Sequence, residues 1–245
     1  MTHAEALRAL HRPGAPVVLP NAWDAASARA VAAAGFPAVA TSSAAVALSL
    51  GYADGEATPV EEMLDAIARI ARAVDVPVTA DVERGYGLPP AQLAERLLAA
   101  GAVGCNLEDS DPRTKRLIDV DRHADFLAAV RAAAGAALVV NARVDTYIRD
   151  VADPLPAAIE RGRKFLAAGA DCFYPLGASA EKDIQALVDL GPVNILFTPD
   201  TPDLPALAAL GVARVSFGAG IHEALAATHA GMLAAIVAGR SPYAG

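Results

Sequence analysis

The chain has 245 residues, of which 54% are hydrophobic, 5% aromatic and 20% charged, a composition that excludes an intrinsically disordered chain. This length suits one large domain, and α/β barrels commonly reach it as a single unit. The formal net charge of −8 disfavours binding to nucleic acid and to anionic membranes, so a small molecule is the expected partner.

The cysteines and the N-terminal segment indicate where the protein works. Cys105 and Cys172 both lie in apolar runs, which argues against a disulfide framework and is compatible with a reducing cytosol. The N-terminal segment carries Glu5 and Arg8 and lacks the apolar centre of a signal peptide. No stretch of about 20 residues is free of both charges and glycine, so no transmembrane helix is predicted. We therefore expect a soluble, cytoplasmic protein that does not bind membranes.

A repeated pattern organises the chain: an alanine- or leucine-rich segment ends in glycine and is followed by an apolar, β-branched run. The glycines of its six copies are Gly35, Gly101, Gly135, Gly169, Gly191 and Gly211. A seventh copy has Asp75 in the place of glycine, and an earlier apolar run supplies an opening strand. Glycine just past a helix is the usual left-handed cap, and the apolar run predicts a buried parallel strand.

Eight strands are predicted in this way, and each is followed by a helix. They lie near residues 16–19, 37–41, 76–82, 103–108, 137–143, 171–175, 193–198 and 212–217. Alternating strands and helices require a parallel sheet, and eight such units in a chain of this length favour a closed (β/α)8 TIM-type barrel. We predict one such domain over residues 1–245, with an open doubly wound sheet as the alternative.

The third predicted strand ends in two carboxylates and a glycine-tyrosine-glycine turn, in the stretch V-T-A-D-V-E-R-G-Y-G from Val78 to Gly87. Successive side chains of a strand point to opposite faces, so Asp81 and Glu83 are expected to share one face. Two carboxylates at the mouth of a barrel strand indicate a cation site, and the alternative is an ordinary strand that ends before a polar turn.

Polar residues also follow the neighbouring strands, at the end of the barrel where such enzymes place their chemistry. They are Asn21, Thr41, Ser42 and Ser43 after the first two strands, Asp54 in the next loop, Glu108 after the fourth strand, and Asn141, Arg143 and Asp145 on the fifth. Carboxylates gathered this closely repel one another unless a cation offsets them, and hard oxygen ligands select Mg²⁺ or Mn²⁺ over Zn²⁺. The alternative is a structural network in which Arg143 neutralises Glu108 and Asp81.

Four motifs, taken in order, resemble the isocitrate lyase and phosphoenolpyruvate mutase superfamily. They are P-N-A-W-D-A-A-S-A-R from Pro20, T-S-S-A-A-V-A-L-S-L-G-Y-A-D-G-E from Thr41, D-V-E-R-G-Y-G from Asp81, and L-E-D-S from Leu107 with N-A-R-V-D from Asn141. The third motif resembles the family's D-x-D/E-x-G-Y-G metal motif, and the match covers most of the chain.

The resemblance implies a metal site, a substrate site and a reaction. Mg²⁺, or Mn²⁺, would be held most directly by Asp81, and through water by Glu83, Glu108 and Asp54. The substrate-binding residues would be Arg143 on the carboxylate, the backbone amides of Ser42, Ser43 and Ala44 on the 2-oxo acid end, and Asn21. Arg143, Asp54 and Glu108 would take part in catalysis. The implied enzyme breaks or forms a C–C bond of a small 2-oxo or 2-hydroxy acid, as a lyase or decarboxylase, through an enolate held by the metal.

The loop after the fourth strand departs from the lyases of the family, which carry K-K-C-G-H or K-R-C-G-H with a cysteine that protonates the enolate. This chain has D-S-D-P-R-T-K-R-L-I-D-V-D there, and Cys105 is expected to face the helices. We therefore predict that it is neither an isocitrate lyase nor a methylisocitrate lyase. The mutases carry a tryptophan at the position of Ala40 and a K-T-N-S loop, so their absence weakens the alternative of P–C bond chemistry on phosphonopyruvate. A non-catalytic 2-oxo acid binding protein is the third hypothesis.

The loop after the fourth strand and the proton donor each allow more than one interpretation. Arg113, Lys115 and Arg116 on the departing loop form either a basic lid or a solvated turn. The candidates for the missing proton donor are Tyr52, Tyr86, Tyr147 and His222.

The final segment predicts an apolar helix with little polar face, and relatives exchange their last helix between subunits, so we expect a homo-oligomer, either a dimer or a tetramer.

Overall fold

Strands and helices alternate along the chain in the computed structural model, which describes residues 1–243. The strands are β1 (Val17–Leu19), β2 (Asn21–Ala22), β3 (Val39–Thr41), β4 (Val78–Asp81), β5 (Gly104–Glu108), β6 (Val139–Val144), β7 (Cys172–Pro175), β8 (Asn194–Leu196) and β9 (Arg214–Ser216). The helices are α1 (His3–Leu10), α2 (Ala25–Ala33), α3 (Ser43–Leu50), α4 (Val60–Ala71), α5 (Pro90–Ala99), α6 (Val120–Ala134), α7 (Pro154–Ala167), α8 (Glu181–Val188), α9 (Leu204–Ala209) and α10 (Gly220–Val237). The paired strands are parallel, as consecutive strand–helix units require.

The strands close into a barrel through two hydrogen-bonded sheets that meet at the first barrel position. One sheet has the order β2-β3-β4-β5-β6-β7, and the other has the order β1-β9-β8. Pro20, which has no backbone N–H, separates β1 from β2, so β1 pairs with β9 while β2 pairs with β3. A parallel bridge between Phe173 and Val193 joins β7 to β8 and completes the ring. The predicted (β/α)8 barrel is therefore confirmed, and the open-sheet alternative is wrong.

Each strand begins one or two residues later than the sequence pattern predicted. The residues before the strands cross from the helical layer to the barrel, and their apolar side chains made them indistinguishable from strand residues. Gly101 shows why a glycine precedes this crossing. Its φ is +88°, which favours glycine, and an added Cβ would lie 3.0 Å from Cβ of Ala71.

Apolar side chains fill two separate spaces. The larger core lies between the strands and the surrounding helices, and it includes Cys105, which faces the helices as predicted. A smaller cluster fills the barrel interior and consists of Leu7, Val17, Leu19, Ala38, Ala40 and Val139. Leu7 comes from α1, a helix that was not among the predicted elements; a capping box between Thr2 and Glu5 begins it. This helix therefore closes one end of the barrel.

Leu7 is expected to be a major stabilising residue. It is fully buried, and its Cδ2 packs so closely on β5 that a Cβ at Gly104 would lie 2.7 Å from it. Replacing it with alanine leaves a cavity in a packed interior, so we expect the free energy of unfolding to fall by about 2–5 kcal/mol in urea denaturation. The matched substitution Leu10→Ala, at a half-buried position of the same helix, should cost clearly less. Equal losses would show that α1 does not seal the barrel.

Candidate active site

A cavity of about 350 Å³ opens at the carboxyl ends of the strands, where barrel enzymes bind their substrates. Its wall includes most residues predicted for the site: Asn21, Ser42, Ser43, Ala44, Asp54, Asp81 and Arg143. Glu83 and Glu108 are not in the wall but are buried, with exposures of 2% and 5%. Three larger grooves, which lie beside α7 and α10, contain a single carboxylate among them, that of Glu160. The acidic residues of interest are therefore gathered at the barrel mouth.

Asp81 ends β4 and contacts the beginning of α3. Its Oδ2 accepts hydrogen bonds from the Ser43 hydroxyl at 3.1 Å and from the Ser43 amide at 3.4 Å. The same hydroxyl lies 3.5 Å from Oδ1 of Asp54, so the loop carboxylate comes close to the strand carboxylate. Burial raises the pKa of Asp81; Arg143 opposes this shift and the charge of Asp54 adds to it. A cation beside Asp81 and Asp54 would relieve their repulsion.

Glu83 reaches the site by a route that the sequence pattern did not predict. It lies beyond the end of β4 with a φ of +51°, so strand alternation does not orient its side chain. Its Oε2 accepts a hydrogen bond from the Glu56 amide at 2.6 Å, and its Oε1 accepts one from the Tyr86 hydroxyl at 2.8 Å. Burial raises the pKa of Glu83 to about 7, and the charges of Asp54 and Asp81 contribute. Because both of its oxygens accept hydrogen bonds from the protein, Glu83 suits a role through water better than direct ligation.

Arg143 of β6 lies between two carboxylates. Its Nη1 is 2.6 Å from Oε2 of Glu108, while its Nε and Nη2 donate to Asp145 at 2.6 and 3.3 Å. Burial raises the pKa of Glu108, and Arg143 offsets this only in part because Asp145 shares the guanidinium. Arg143 therefore does form an ion-pair network, as the alternative hypothesis expected, but its second partner is Asp145 and not Asp81. A guanidinium has five N–H donors, so two remain for a ligand.

A further set of residues holds Asp145 in place. Asp145 is fully buried, and its Oδ2 accepts hydrogen bonds from the Ser110 hydroxyl at 2.5 Å and from Nη2 of Arg149 at 3.2 Å. Its amide donates to Oδ1 of Asp109 at 2.9 Å, and Asp109 pairs with Nη1 of Arg161 at 2.9 Å. Neither Arg149 nor Arg161 was predicted. The four-residue spacing from Asp145 was a usable signal for Arg149, whereas nothing in the sequence pointed to Arg161.

The residues predicted to bind the 2-oxo acid lie in the cavity wall, but they differ in how many hydrogen-bonding groups they have left for a ligand. Of the three amides predicted to bind the 2-oxo acid, that of Ser42 donates to the Ala22 carbonyl at 3.2 Å and that of Ser43 to Asp81. The Ala44 amide, in the first turn of α3, has no acceptor among residues 1–243, and such helix-terminal amides favour anions. Asn21 is largely occupied, because its Nδ2 donates to the Thr41 carbonyl and its Oδ1 accepts from the Phe217 amide, both at 2.8 Å. Asn21 therefore ties β3 to the segment after β9 and retains one N–H for a ligand.

The loop between β5 and α6 folds as a short hairpin, closed by an antiparallel bridge between Ser110 and Leu117. Arg113, Lys115 and Arg116 are all exposed, and Lys115 is the one of the three that lines the cavity. Of these three basic residues, Lys115 is thus the one that a ligand in the cavity would meet. Lys115 therefore stays the candidate for a basic lid, and the two arginines fit the solvated-turn alternative.

The four side chains considered as proton donors are outside the cavity wall. Tyr52 donates to Glu62, Tyr86 to Glu83 and Tyr147 to Asp183, while His222 packs edge-on against Trp23 with ring centres 4.9 Å apart. Tyr174 of β7, which was not considered, does line the cavity, and burial raises its pKa to about 12. Tyr174 is therefore protonated at neutral pH and can donate a hydrogen bond to a ligand.

The carboxylates of the site suit a divalent cation of the Mg²⁺ type. Asp54, Asp81, Glu83 and Glu108 gather around a cavity whose Arg143 is already paired with two carboxylates. Within residues 1–243, no three acidic, histidine or cysteine side chains converge tightly enough to bind an ion without other ligands. Mg²⁺ usually keeps several water molecules and takes one or two carboxylates directly, so an open arrangement of this kind fits it.

Comparison with known proteins agrees with this geometry. The family model described as phosphoenolpyruvate phosphomutase matches residues 7–237. An uncharacterized protein of Mycobacterium tuberculosis is 37% identical over 226 residues, which cover 90% of this chain and 85% of that protein. The 2-methylisocitrate lyase of Bacillus subtilis is 31% identical over 187 residues, which cover 73% of this chain and 61% of the lyase.

Solved structures share the whole fold. A Burkholderia cenocepacia J2315 protein, named as a candidate phosphonomutase, is 43% identical with a TM-score of 0.87, over 96% of this chain and 98% of that one. A 2,3-dimethylmalate lyase is 27% identical with a TM-score of 0.84, over 100% of this chain and 91% of that one. By its sequence and its fold, the chain belongs to the phosphoenolpyruvate mutase and isocitrate lyase superfamily.

Proposed function

We propose that the protein is a Mg²⁺-dependent enzyme that breaks or forms a C–C bond of a small 2-oxo or 2-hydroxy acid, as a lyase or a decarboxylase. The observation that carries this proposal is the group of Asp54, Asp81 and Glu83, none of which forms an ion pair with a basic side chain among residues 1–243. Relatives named 2-methylisocitrate lyase and oxaloacetate decarboxylase support it, as does a phosphonopyruvate hydrolase structure with oxalate and Mg²⁺. Mn²⁺ is the alternative ion.

Each residue of the site has a proposed role in binding the cation or the substrate. Asp81 would hold the cation directly, and Asp54, Glu83 and Glu108 would act through water. The cation would offset the negative charge that develops when a bond next to a 2-oxo acid breaks. Arg143 donates its two remaining N–H groups to the substrate carboxylate and fixes its orientation. The Ala44 amide at the beginning of α3 holds the 2-oxo acid end, where the helix terminus favours negative charge, while the Ser43 amide is shared with Asp81.

The hairpin between β5 and α6 supports a substrate other than isocitrate or methylisocitrate. It presents the amine of Lys115 to the cavity and carries no thiol. Cys105 cannot replace the missing cysteine, because it is buried in the helix-facing core, where burial raises its pKa to about 12. A thiol in this position has no contact with a ligand in the cavity.

Two other functions are favoured by specific observations. The 43% identity to a candidate phosphonomutase favours mutase or hydrolase chemistry on the P–C bond of phosphonopyruvate. The absence of cysteine and histidine from the cavity wall, among the described residues, favours a non-catalytic protein that binds 2-oxo acids. Both alternatives keep the cation and the carboxylate-binding residues and differ in the step that follows binding.

A panel of acids separates these functions. The purified protein is incubated with Mg²⁺ and with oxaloacetate, 2-methylmalate-type acids or phosphonopyruvate, and products are followed by NMR, with EDTA as the metal-free control. Turnover of a carboxylic acid that stops with EDTA supports the proposed lyase or decarboxylase. Turnover of phosphonopyruvate alone identifies P–C chemistry, and tight oxalate binding without any turnover identifies the binding protein.

Cation binding is expected to strengthen as the pH rises from 6 to 8. Burial raises the pKa of Glu83 to about 7 and also raises that of Glu108, so the metal-free site retains protons that a bound cation displaces. The same raised pKa values favour the protonated folded state, so the metal-free protein should lose stability as the pH rises through this range. Calorimetric titration of Mg²⁺ in two buffers of different ionisation enthalpy measures the protons released. A pH-independent affinity without proton release would contradict the assignment of these carboxyls.

We also propose a cytoplasmic location and no membrane partner. Cys105 and Cys172 are free and buried, as suits a reducing compartment. By length and composition alone, α10 could cross a membrane, since it has 18 residues and a mean hydropathy of 1.2. Glu223 in its first turn and His229 near its middle would then lie in or near the hydrocarbon layer, which is costly for ionisable groups.

A homo-oligomer accounts better for α10. None of its residues is buried, and Leu225, Leu233 and Ile236 are exposed by 54%, 50% and 55%. An apolar helix of this kind requires a cover, and exchange of the helix with a second copy would supply it. We expect a dimer or tetramer in sedimentation velocity, and Leu233→Glu should shift it towards the monomer. A single monomer peak for the unaltered protein would contradict this.

A further inference from the structure

The loop that carries Asp54 is joined to the turn after β4 by three hydrogen bonds among Glu56, Glu83 and Tyr86, which we call the Glu56 clasp. The Glu56 amide donates to Oε2 of Glu83 at 2.6 Å, and the Tyr86 amide donates to Oε1 of Glu56 at 2.6 Å. The Tyr86 hydroxyl donates to Oε1 of Glu83 at 2.8 Å. The bonding is reciprocal, because the backbone of each segment donates to a carboxylate of the other.

The backbone is left-handed at each residue of the clasp, with φ values of +59° at Glu56, +51° at Glu83 and +56° at Tyr86. Non-glycine residues seldom adopt this conformation, and they keep it where surrounding contacts enforce it, often at functional sites. Among residues 1–243, Lys115 in the cavity wall is the one other non-glycine residue with a positive φ. The unusual backbone conformations of the described chain are thus concentrated around the cavity.

The charge of Glu56 does not explain its position. Asp54 and Asp81 each raise the pKa of Glu83, so these three carboxylates repel one another when ionised. A residue placed there to compensate these three carboxylates would be cationic, whereas Glu56 adds a fourth carboxylate, whose own charge Arg84 offsets in part. Its contribution is therefore geometric: it accepts a backbone hydrogen bond from the turn and directs its own amide at Glu83.

We propose that Glu56 is a positioning residue that holds the Asp54 loop against the turn after β4 and orients Glu83, so that Asp54 and Glu83 face the same divalent cation. The inference rests on the proposed metal-dependent function, but it concerns a residue that does not itself contact the ion. When the clasp opens, the contact left between Asp54 and the strand end is the 3.5 Å approach to the Ser43 hydroxyl. Repulsion among the carboxylates then moves the loop away, and the affinity for the cation falls.

Two substitutions of Glu56 test the position and the charge of its carboxylate separately. Glu56→Asp keeps the charge but shortens the side chain by one methylene, so its carboxylate no longer reaches the Tyr86 amide; aspartate also tolerates a left-handed backbone, so the variant should fold. Glu56→Gln loses the charge but keeps an acceptor oxygen at the same reach. With oxalate present, Mn²⁺ titration followed by electron paramagnetic resonance should show about 10-fold to 100-fold weaker binding for Glu56→Asp. Binding by Glu56→Gln should remain close to that of the unaltered protein.

Glu62 provides the matched control, because it also accepts a hydrogen bond from a tyrosine of the same loop, Tyr52 at 2.8 Å, but on the exposed surface. Glu62→Asp and Glu62→Gln should leave Mn²⁺ affinity unchanged. The proposal is overturned if Glu56→Gln loses as much affinity as Glu56→Asp. It is also overturned if Glu56→Asp lowers the melting temperature without changing Mn²⁺ affinity, which would make the clasp a purely structural contact.

The same measurements distinguish this inference from the proposed function. If the unaltered protein turns over an acid and Glu56→Asp binds Mn²⁺ normally, the clasp has no positioning role and the function stands. If Mn²⁺ affinity depends on Glu56 as expected but no acid in the panel is turned over, the positioning role is supported and the proposed catalysis is wrong.

Discussion

Replacing Asp81 with asparagine is expected to lower kcat by about 10³-fold or more, the scale on which removal of a main charge-stabilising group acts. Asparagine keeps the shape of the side chain and an acceptor for the Ser43 hydroxyl, which lies 3.1 Å from Oδ2. It loses the charge that attracts the cation, so Mn²⁺ affinity should fall with turnover. The test is the rate on the best acid of the panel at saturating Mg²⁺, together with a melting curve that shows the variant is folded.

Asp75 gives the matched control for this substitution. It lies exposed just before β4 and away from the cavity, so Asp75→Asn changes the net charge by the same amount at the other end of the same segment. Its turnover should be unchanged. Metal-dependent turnover that survives in Asp81→Asn would show that the cation is held elsewhere.

Replacing Arg143 with methionine is expected to lower both ligand binding and stability. The change leaves Glu108 buried without its ion-pair partner and Asp145 with Arg149 as its remaining partner, and removal of one partner from a buried ion pair typically costs about 3–5 kcal/mol. Urea denaturation at pH 8 measures the loss. The loss of stability should shrink towards pH 5, because burial raises the pKa of Glu108 and its protonation removes the uncompensated charge. Arg143→Lys should restore only part of the lost stability, since an ammonium cannot bridge two carboxylates as a guanidinium does.

Arg163 serves as the control for charge removal on the same barrel, because it is exposed on α7. Arg163→Met should change the free energy of unfolding by less than about 0.5 kcal/mol, as surface substitutions usually do. An Arg143→Met variant as stable as Arg163→Met at pH 8 would mean that the buried Glu108 carboxylate does not depend on Arg143 for its counter-charge.

The barrel could be predicted because its signal is local and repeated. A glycine after most of the helices fixes where the chain reverses, as at Gly101, and the apolar run that follows is typical of a strand covered on both faces. Helix α1 has the same kind of local signal in its Thr2 and Glu5 capping box. Its position depends on Leu7 finding the barrel interior, a long-range contact that no local pattern contains.

The site could be predicted where strand geometry alone decides it. Asp81, at the end of β4, and Arg143, on β6, line the cavity because parallel strands end at the same side of the barrel. Glu56 and Arg161 were missed for different reasons. Glu56 depends on a left-handed turn that lets it meet Glu83, and Arg161 is brought to Asp109 by the packing of α7. Both contacts join segments that are distant in sequence.

In the proposed function, one cation and one 2-oxo acid occupy the barrel mouth together, and Asp81 is the group that joins them to the protein. Titration of oxalate, with and without Mg²⁺, tests it most directly, because oxalate carries the adjacent oxygens of a 2-oxo acid and does not react. We expect oxalate affinity to rise at least about 100-fold with Mg²⁺ in the unaltered protein, as a coupling of about 2.7 kcal/mol requires, and not to rise in Asp81→Asn. Equal oxalate affinity with and without Mg²⁺, or an undiminished rise in Asp81→Asn, would contradict the account.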